Sequence, residues 1–131
     1  MSRKRKLFVP LLLVGSIISY FVVSTWGIAV GEVKGSSMEP TYHNGSLFVV
    51  KSYELLFRAP RRGEIVVLID NNGFRVIKRI ALIPGDLDTI SPTHRTLREN
   101  EYVVLGDNAD NSTDSRVYGP VLRNQLIGIV K

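Results

Sequence analysis

The chain has 131 residues, a formal net charge of +5 and no cysteine. Once an apolar N-terminal stretch is set aside, about 100 residues remain, which is enough for one small domain with its own core. The lack of cysteine excludes disulfides, thiolate nucleophiles and Cys-based metal sites. Four of the five net charges lie in the run Arg3–Lys6. Because no basic stripe follows that run, we expect no nucleic-acid partner.

The first predicted element is a membrane-spanning helix over residues 7–30. These 24 residues carry no charge, and as a helix they would extend about 36 Å, which is sufficient to cross a bilayer. A cleaved signal peptide is the alternative, but its apolar region would span only about 7 to 15 residues. The basic tail at residues 1–6 predicts a cytoplasmic N-terminus, a single pass through the cell membrane and an extracytoplasmic domain at residues 31–131.

The region after the predicted span has the pattern of a small, mainly antiparallel β domain. Short alternating or apolar runs dominate it, without sustained helical periodicity. The segment Asp70-Asn71-Asn72-Gly73 predicts a hairpin, because Asn-Gly accepts positive φ at little cost. The predicted strands are Leu47–Val50, Ile65–Ile69, Phe74–Ile80, Tyr102–Leu105 and Leu126–Val130.

Lys78 is unusual within its predicted strand. Alternation places it on one face with Phe74, Val76 and Ile80, where it is the only charged side chain. Burial there would disfavour the ammonium form and lower the lysine pKa from its reference of about 10.4. A lysine general base needs such a shift near neutral pH. The strand pattern alone equally permits a lysine at the sheet margin that extends to water.

Three polar blocks follow the predicted span in order. Gly35–Thr41 reads GSSMEPT, Lys78–Asp86 reads KRIALIPGD, and Gly106–Arg116 reads GDNADNSTDSR. A serine needs a base to become a nucleophile, and a neutral lysine can serve as that base. Together, behind a membrane anchor, these blocks resemble the type I signal peptidase family over residues 31–131.

This resemblance implies a catalytic dyad of Ser37 and Lys78. In that family the serine before the methionine is the nucleophile, and the lysine removes its proton and later activates the deacylating water. The backbone N–H of the nucleophile helps to form the oxyanion hole. Two positions within the three blocks depart from the family pattern: Gly35 replaces a serine that adds a hydroxyl donor in some members, and Leu82 replaces a glycine.

The resemblance also implies supporting and substrate-binding residues. Ser112 would hydrogen-bond the lysine amine and orient it, while the substrate would bind as an extended strand with small side chains one and three positions before the scissile bond. The residues expected to hold the site together by ion pairs are Asp107, Asp114, Arg116 and Arg79. The residues expected to contact substrate are Val33, Ser36, Met38, Phe74 and Ile77.

The sequence therefore predicts a membrane-bound serine endopeptidase that removes N-terminal signal peptides from exported precursor proteins in a bacterial cell. Its partners would be those precursors and the lipid bilayer, and the mechanism needs no metal or organic cofactor. Three alternatives remain: a processing peptidase dedicated to one secretion or conjugation system, a self-cleaving LexA-type Ser/Lys peptidase, and a catalytically silent paralogue. The small residues Ala29 and Gly31 leave self-cleavage near the end of the anchor open.

Overall fold

The computed structural model describes residues 27–131, which form one antiparallel sheet of seven strands in the order β1-β2-β7-β3-β4-β5-β6. The strands are β1 (Ile28–Glu32), β2 (Leu47–Lys51), β3 (Ile65–Ile69), β4 (Arg75–Leu82), β5 (Glu101–Leu105), β6 (Val121–Leu122) and β7 (Leu126–Val130). Two one-turn helices, α1 (Glu54–Phe57) and α2 (Ser115–Tyr118), lie in the connections. The prediction of a mainly β, antiparallel domain is confirmed.

Two strands were not predicted from the sequence. Strand β6 has only two residues, too few for a periodic pattern, and β1 continues the apolar run before it. Because β1 begins at Ile28, the prediction that the spanning helix extends to Val30 is wrong. The rest of that prediction, for residues 7–26, lies outside the described residues. No helix within residues 27–131 is long and apolar enough to cross a bilayer.

The sheet buries apolar side chains on both faces, because alternate residues of β3 and β4 point in opposite directions. Val66 and Ile80 belong to one apolar cluster, whereas Val67 and Ile77 belong to the other. The first core consists of Val66, Leu68, Ile80, Tyr102, Val104, Val121, Leu126 and Ile129. The second core consists of Val33, Met38, Val50, Val67, Ile77 and Val130.

The β3–β4 hairpin turns where the Asn-Gly pattern predicted it. The Asp70 carboxylate accepts hydrogen bonds from the N–H groups of Asn72 and Phe74, and Gly73 has a φ of +84°. Strand β4 starts only at Arg75, and Phe74 is 68% exposed. The prediction that Phe74 shares the buried face of Lys78 is therefore wrong, because the turn ends one residue later than the apolar pattern indicated.

Two buried carboxylates organise the long connection between β4 and β5. Asp88 accepts hydrogen bonds from the Ser91 backbone and from the Ser91 and Thr93 hydroxyls. Glu101 forms a two-oxygen ion pair with Arg95. Burial raises the pKa of Asp88, but its hydrogen bonds outweigh burial and lower that pKa to about 2. The hydrogen bonds from Arg95 lower the pKa of Glu101 to about 2 against the effect of burial.

The lowered pKa values of these two carboxyl groups predict that the domain loses stability in acid. Their pKa values fall from 3.8 and 4.5 to about 2 on folding, so the stability they contribute is present above the ordinary values and is lost as pH falls toward 2. We expect the free energy of unfolding, measured by denaturant titration, to decline across that window. Glu101→Gln should make the decline shallower, and an equally steep decline in that variant would contradict the assignment to Glu101.

Candidate active site

Ser37 and Lys78 meet at the centre of the candidate site. The Lys78 Nζ atom donates a hydrogen bond to the Ser37 Oγ atom across 3.0 Å, although the residues are 41 positions apart in the chain. Ser37 lies in the loop after β1, whereas Lys78 lies in the middle of β4, paired with Val66 of β3. An amine at this distance can accept the hydroxyl proton once the amine itself is neutral.

Lys78 is buried, with 4% of its surface exposed. Removal from water disfavours the ammonium form and lowers the lysine pKa below its ordinary value, while the charges of Asp114 and Asp70 partly oppose that shift. Lys78 lies between Val76 and Ile80 on the face of the first core. The structure therefore favours the buried interpretation of this lysine over one at a solvated sheet margin.

The loop that carries Ser37 is fixed at both ends. Gly35 has a φ of +88°, which favours glycine, and its N–H donates to the Asn44 side chain across 2.9 Å. On the other side of Ser37, Met38 is fully buried in the second core. The departure at Gly35 therefore has a conformational reason: a serine there would be strained, although the space around it is open.

One carboxylate connects all three sequence blocks. Asp107, from the third block, accepts two hydrogen bonds from the Arg79 guanidinium, at 2.8 and 2.7 Å. It also accepts a hydrogen bond from the Thr41 hydroxyl at 2.6 Å. Arg79 adjoins Lys78 in β4 and Thr41 belongs to the serine loop, so Asp107 ties the loop to the strand. Arg79 and Asp107 were both expected to form ion pairs, without an assigned partner, and here they pair with each other.

A second carboxylate, Asp114, lies fully buried behind the site. It accepts hydrogen bonds from Arg116 at 2.9 and 2.6 Å, from the Gly106 N–H at 2.8 Å and from the Ser112 hydroxyl at 2.7 Å. Burial raises its pKa, but these donors outweigh burial and lower the pKa to about 2. Asp114 is therefore a charged group whose nearest countercharge is Arg116.

Ser112 makes a contact other than the one its predicted role requires. Its hydroxyl donates to Asp114, and within residues 27–131 the Lys78 amine hydrogen-bonds Ser37 and not Ser112. A hydroxyl that donates its proton in this way keeps its oxygen lone pairs as acceptors. Ser112 therefore remains able to accept a hydrogen bond from an ammonium group.

Gly106 and Asn108 are site residues to which the sequence analysis assigned no role. A Cβ atom on Gly106 would lie 2.1 Å from Ser112 Oγ and 2.6 Å from the Ser37 carbonyl oxygen, so only glycine fits there. Asn108 donates from its backbone N–H to the Ser37 carbonyl at 2.9 Å and from Nδ2 to the Ser36 carbonyl at 3.1 Å. The sequence feature that could have indicated a role for these two residues is their position at the start of the third polar block.

A groove of about 300 Å³ leads to Ser37 and Lys78. Its walls come from β1 and β4, which three strands separate in the sheet order. The sheet must therefore curl to bring those strands face to face. Within residues 27–131, β1 pairs only with β2, and residues 75–78 of β4 pair only with β3. Each wall consequently presents an unpaired strand edge.

Of the five residues predicted to contact substrate, two line this groove and three do not. Val33 and Ile77 line it. Met38 is fully buried beneath the serine loop, Phe74 is exposed at the hairpin, and Ser36 turns its carbonyl to Asn108, and none of these three lines the groove. Within the described part of the chain, no cluster of three or more His, Asp or Glu side chains could hold a metal ion.

Comparison of the sequence with known proteins identifies a protein family that it matches. The family model described as signal peptidase, peptidase S26, matches residues 3–94 and 87–131. The mitochondrial inner membrane protease subunit 1 of Xenopus tropicalis is 36% identical over 103 residues, covering 70% of this chain and 62% of that protein. A probable signal peptidase I-2 of Synechocystis sp. is 30% identical over 146 residues, covering 88% of this chain and 67% of that protein. Signal peptidase IB of Staphylococcus aureus is 22% identical over 156 residues, covering 88% and 82%.

The tight space at Gly106 leads to a prediction about packing. Gly106→Ala places a methyl group against Ser112 and the Ser37 carbonyl, so we expect a loss of about 1–3 kcal/mol in the free energy of unfolding. A crystal structure of the variant should show the Nζ–Oγ distance between Lys78 and Ser37 lengthened from 3.0 Å. The control is Asn111→Ala, at an exposed position of the same block. Equal stability of both variants would contradict the steric argument.

Proposed function

The chain belongs to the signal peptidase, peptidase S26 family, and on that premise we propose that it is a serine endopeptidase that removes N-terminal signal peptides from exported precursor proteins. The observation that carries this proposal is the 3.0 Å hydrogen bond between the buried Lys78 amine and the Ser37 hydroxyl, beside a groove with two unpaired strand edges. A nucleophile, a base and a place for an extended peptide are thus adjacent.

In the proposed mechanism Ser37 is the nucleophile and Lys78 the general base. The neutral amine takes the hydroxyl proton while Oγ attacks the scissile carbonyl, and the tetrahedral intermediate collapses to an ester on Ser37. The ammonium group then protonates the leaving amine. In the second half, Lys78 removes a proton from a water molecule that attacks the ester. The bond between the acyl carbon and Oγ then breaks, the acyl product leaves as a carboxylic acid, and the Lys78 ammonium returns its proton to Oγ of Ser37.

Ser112 is proposed to orient the lysine. Its hydroxyl proton is directed to Asp114, which leaves the oxygen as an acceptor for the ammonium group that forms during catalysis. Arg116 pairs with Asp114 at 2.6 Å, so the carboxylate orients Ser112 while it raises the pKa of Lys78 by less than burial lowers it. Asp107 and Arg79 are proposed to hold the serine loop against β4.

The substrate is proposed to bind as a strand between the edges of β1 and residues 75–78. Backbone hydrogen bonds to both edges would set its register, and alternate side chains would point toward the apolar floor. That floor is shallow beside β1: the Phe48 ring lies so close to Gly31 that a Cβ atom on the glycine would be 2.4 Å from it. Small side chains before the scissile bond fit such a floor, with Val33 and Ile77 on its walls.

We further propose the membrane arrangement that the sequence predicts: a basic cytoplasmic tail at residues 1–6, a single anchor that ends before Ile28, and a catalytic domain on the extracytoplasmic side. Two observations support it. Residues 7–27 carry no charge, and relatives carry names such as mitochondrial inner membrane protease. Because the chain spans 62% of the length of that frog relative, the activity and substrates of the relatives enter here as proposals.

The dyad is tested by removing each of its members. Ser37→Ala and Lys78→Ala should each lower the cleavage rate of a precursor with Ala-x-Ala before its cleavage site by about 10⁴-fold or more. The far-ultraviolet circular dichroism spectrum should be unchanged. Matched controls are Ser46→Ala and Lys51→Ala, which lie outside the site. Near-normal cleavage by either dyad variant would refute the mechanism, and cleavage of very few precursors by the wild type would indicate a dedicated processing peptidase.

The pH dependence of kcat/KM tests the state of Lys78. The neutral amine is the active form, so activity should rise with pH through the lysine pKa, which burial places below the ordinary value of 10.5. The charge of Asp70 raises that pKa. Asp70→Asn keeps an acceptor for the hairpin and should move the acidic limb of the profile to lower pH. If the acidic limb of the wild-type profile lay at or above pH 10.5, the lowered pKa of Lys78 would be contradicted.

A further inference from the structure

The peptide group between Ser36 and Ser37 is held by its carbonyl oxygen. That oxygen accepts hydrogen bonds from Asn108 Nδ2 at 3.1 Å and from the Glu39 N–H at 3.2 Å. The next carbonyl, of Ser37, accepts from the Asn108 N–H at 2.9 Å. Asn108 therefore hydrogen-bonds two successive carbonyl groups of the serine loop, one through its side chain and one through its backbone N–H.

Because a peptide group is planar, the hydrogen bonds that hold the Ser36 carbonyl also fix the direction of the Ser37 N–H. The peptide bond between Ser36 and Ser37 is trans, so the Ser36 C=O and the Ser37 N–H lie in one plane and point in opposite directions. With the carbonyl bonded to Asn108, the N–H points away from Asn108.

The Ser37 N–H is also unengaged within the described structure. Among residues 27–131 it makes no hydrogen bond, whereas the nearby Gly35 N–H is occupied by the Asn44 side chain. Ser37 lines the groove, and a backbone donor in such a place requires a partner from solvent or ligand. An acyl-transfer site needs a donor of this kind, preorganised for the oxyanion.

We propose that Asn108 is a positioning residue that aims the Ser37 N–H at the oxyanion of the reacting carbonyl. This inference rests on the proposed function and assigns Asn108 no contact with substrate. The side-chain amide is the part that substitution can remove, because the backbone bond from Asn108 to Ser37 persists with any residue. The Glu39 N–H still bonds the Ser36 carbonyl in such variants, so the loop keeps its fold and loses only part of its orientation.

The test compares Asn108→Ala and Asn108→Asp with Asn100→Ala, whose side chain is exposed and makes no hydrogen bond within residues 27–131. Asn108→Asp keeps the shape of the side chain but replaces the donor with a carboxylate oxygen. Loss of a whole oxyanion donor costs about 10²–10³-fold in kcat. For a misaimed donor we expect kcat for precursor cleavage to fall about 10- to 100-fold in both Asn108 variants, with KM within about threefold of the wild type.

A peptide aldehyde provides a second readout. Ser37 Oγ adds to the aldehyde carbon, the carbonyl π bond breaks, and the hydroxyl proton passes through Lys78 to the hemiacetal oxygen, which occupies the oxyanion position. The affinity for this aldehyde should fall in parallel with kcat/KM in both Asn108 variants. The affinity for the corresponding peptide alcohol, which has no carbonyl oxygen and forms no covalent bond, should remain unchanged.

Three results would overturn the inference: unchanged kcat in Asn108→Ala, a rise in KM alone, or wild-type kinetics in Asn108→Asp, which would show that only the shape of the side chain matters. The proposed function fails in a different way. If it is wrong, folded wild-type protein cleaves no precursor and Ser37→Ala changes nothing, whereas failure of the inference leaves wild-type cleavage intact and dependent on Ser37.

Discussion

The burial of the Lys78 amine is the constraint on which the rest of the site depends. A lysine removed from water loses its preference for the charged form, and a directly paired carboxylate would restore that preference. Within residues 27–131 the structure has no such pair at Lys78. Asp114, whose negative charge acts on Lys78, accepts its hydrogen bonds from Arg116, Ser112 and the Gly106 N–H. The Lys78 amine hydrogen-bonds the Ser37 hydroxyl instead.

The two members of this pair are positioned by different means. Lys78 lies in a strand paired on one side with β3, and its neighbour Arg79 pairs with β5, so its backbone is held by the sheet itself. Ser37 lies in a loop, whose backbone polar groups must find partners one at a time. Asp107 and Asn108 supply such partners through Thr41, Ser36 and Ser37, which explains why the third polar block is needed in addition to a serine and a lysine.

The groove is a consequence of how the sheet curls. In a flat sheet β1 and β4 would lie far apart with three strands between them, and their unpaired edges would face outward, where exposed edges invite aggregation. Curling turns the two edges toward each other across the second core, which places apolar side chains beneath any strand bound between them. The same fold that buries Val67 and Ile77 therefore leaves a narrow, strand-shaped opening beside Ser37.

The sequence by itself determined the β class, the Asp70–Gly73 hairpin, two strands with their correct bounds and the order of the three blocks, because period-two patterns, Asn-Gly turns and short motifs are local. Only the tertiary structure decided what depends on distant parts of the chain. It placed β1 in the sheet, moved Phe74 out of the buried face and buried Met38 away from the groove. It also directed Ser112 to Asp114 and brought Gly106 and Asn108 against Ser37. A distance between residues 37 and 108 is set by sheet curvature and packing, and no local pattern encodes it.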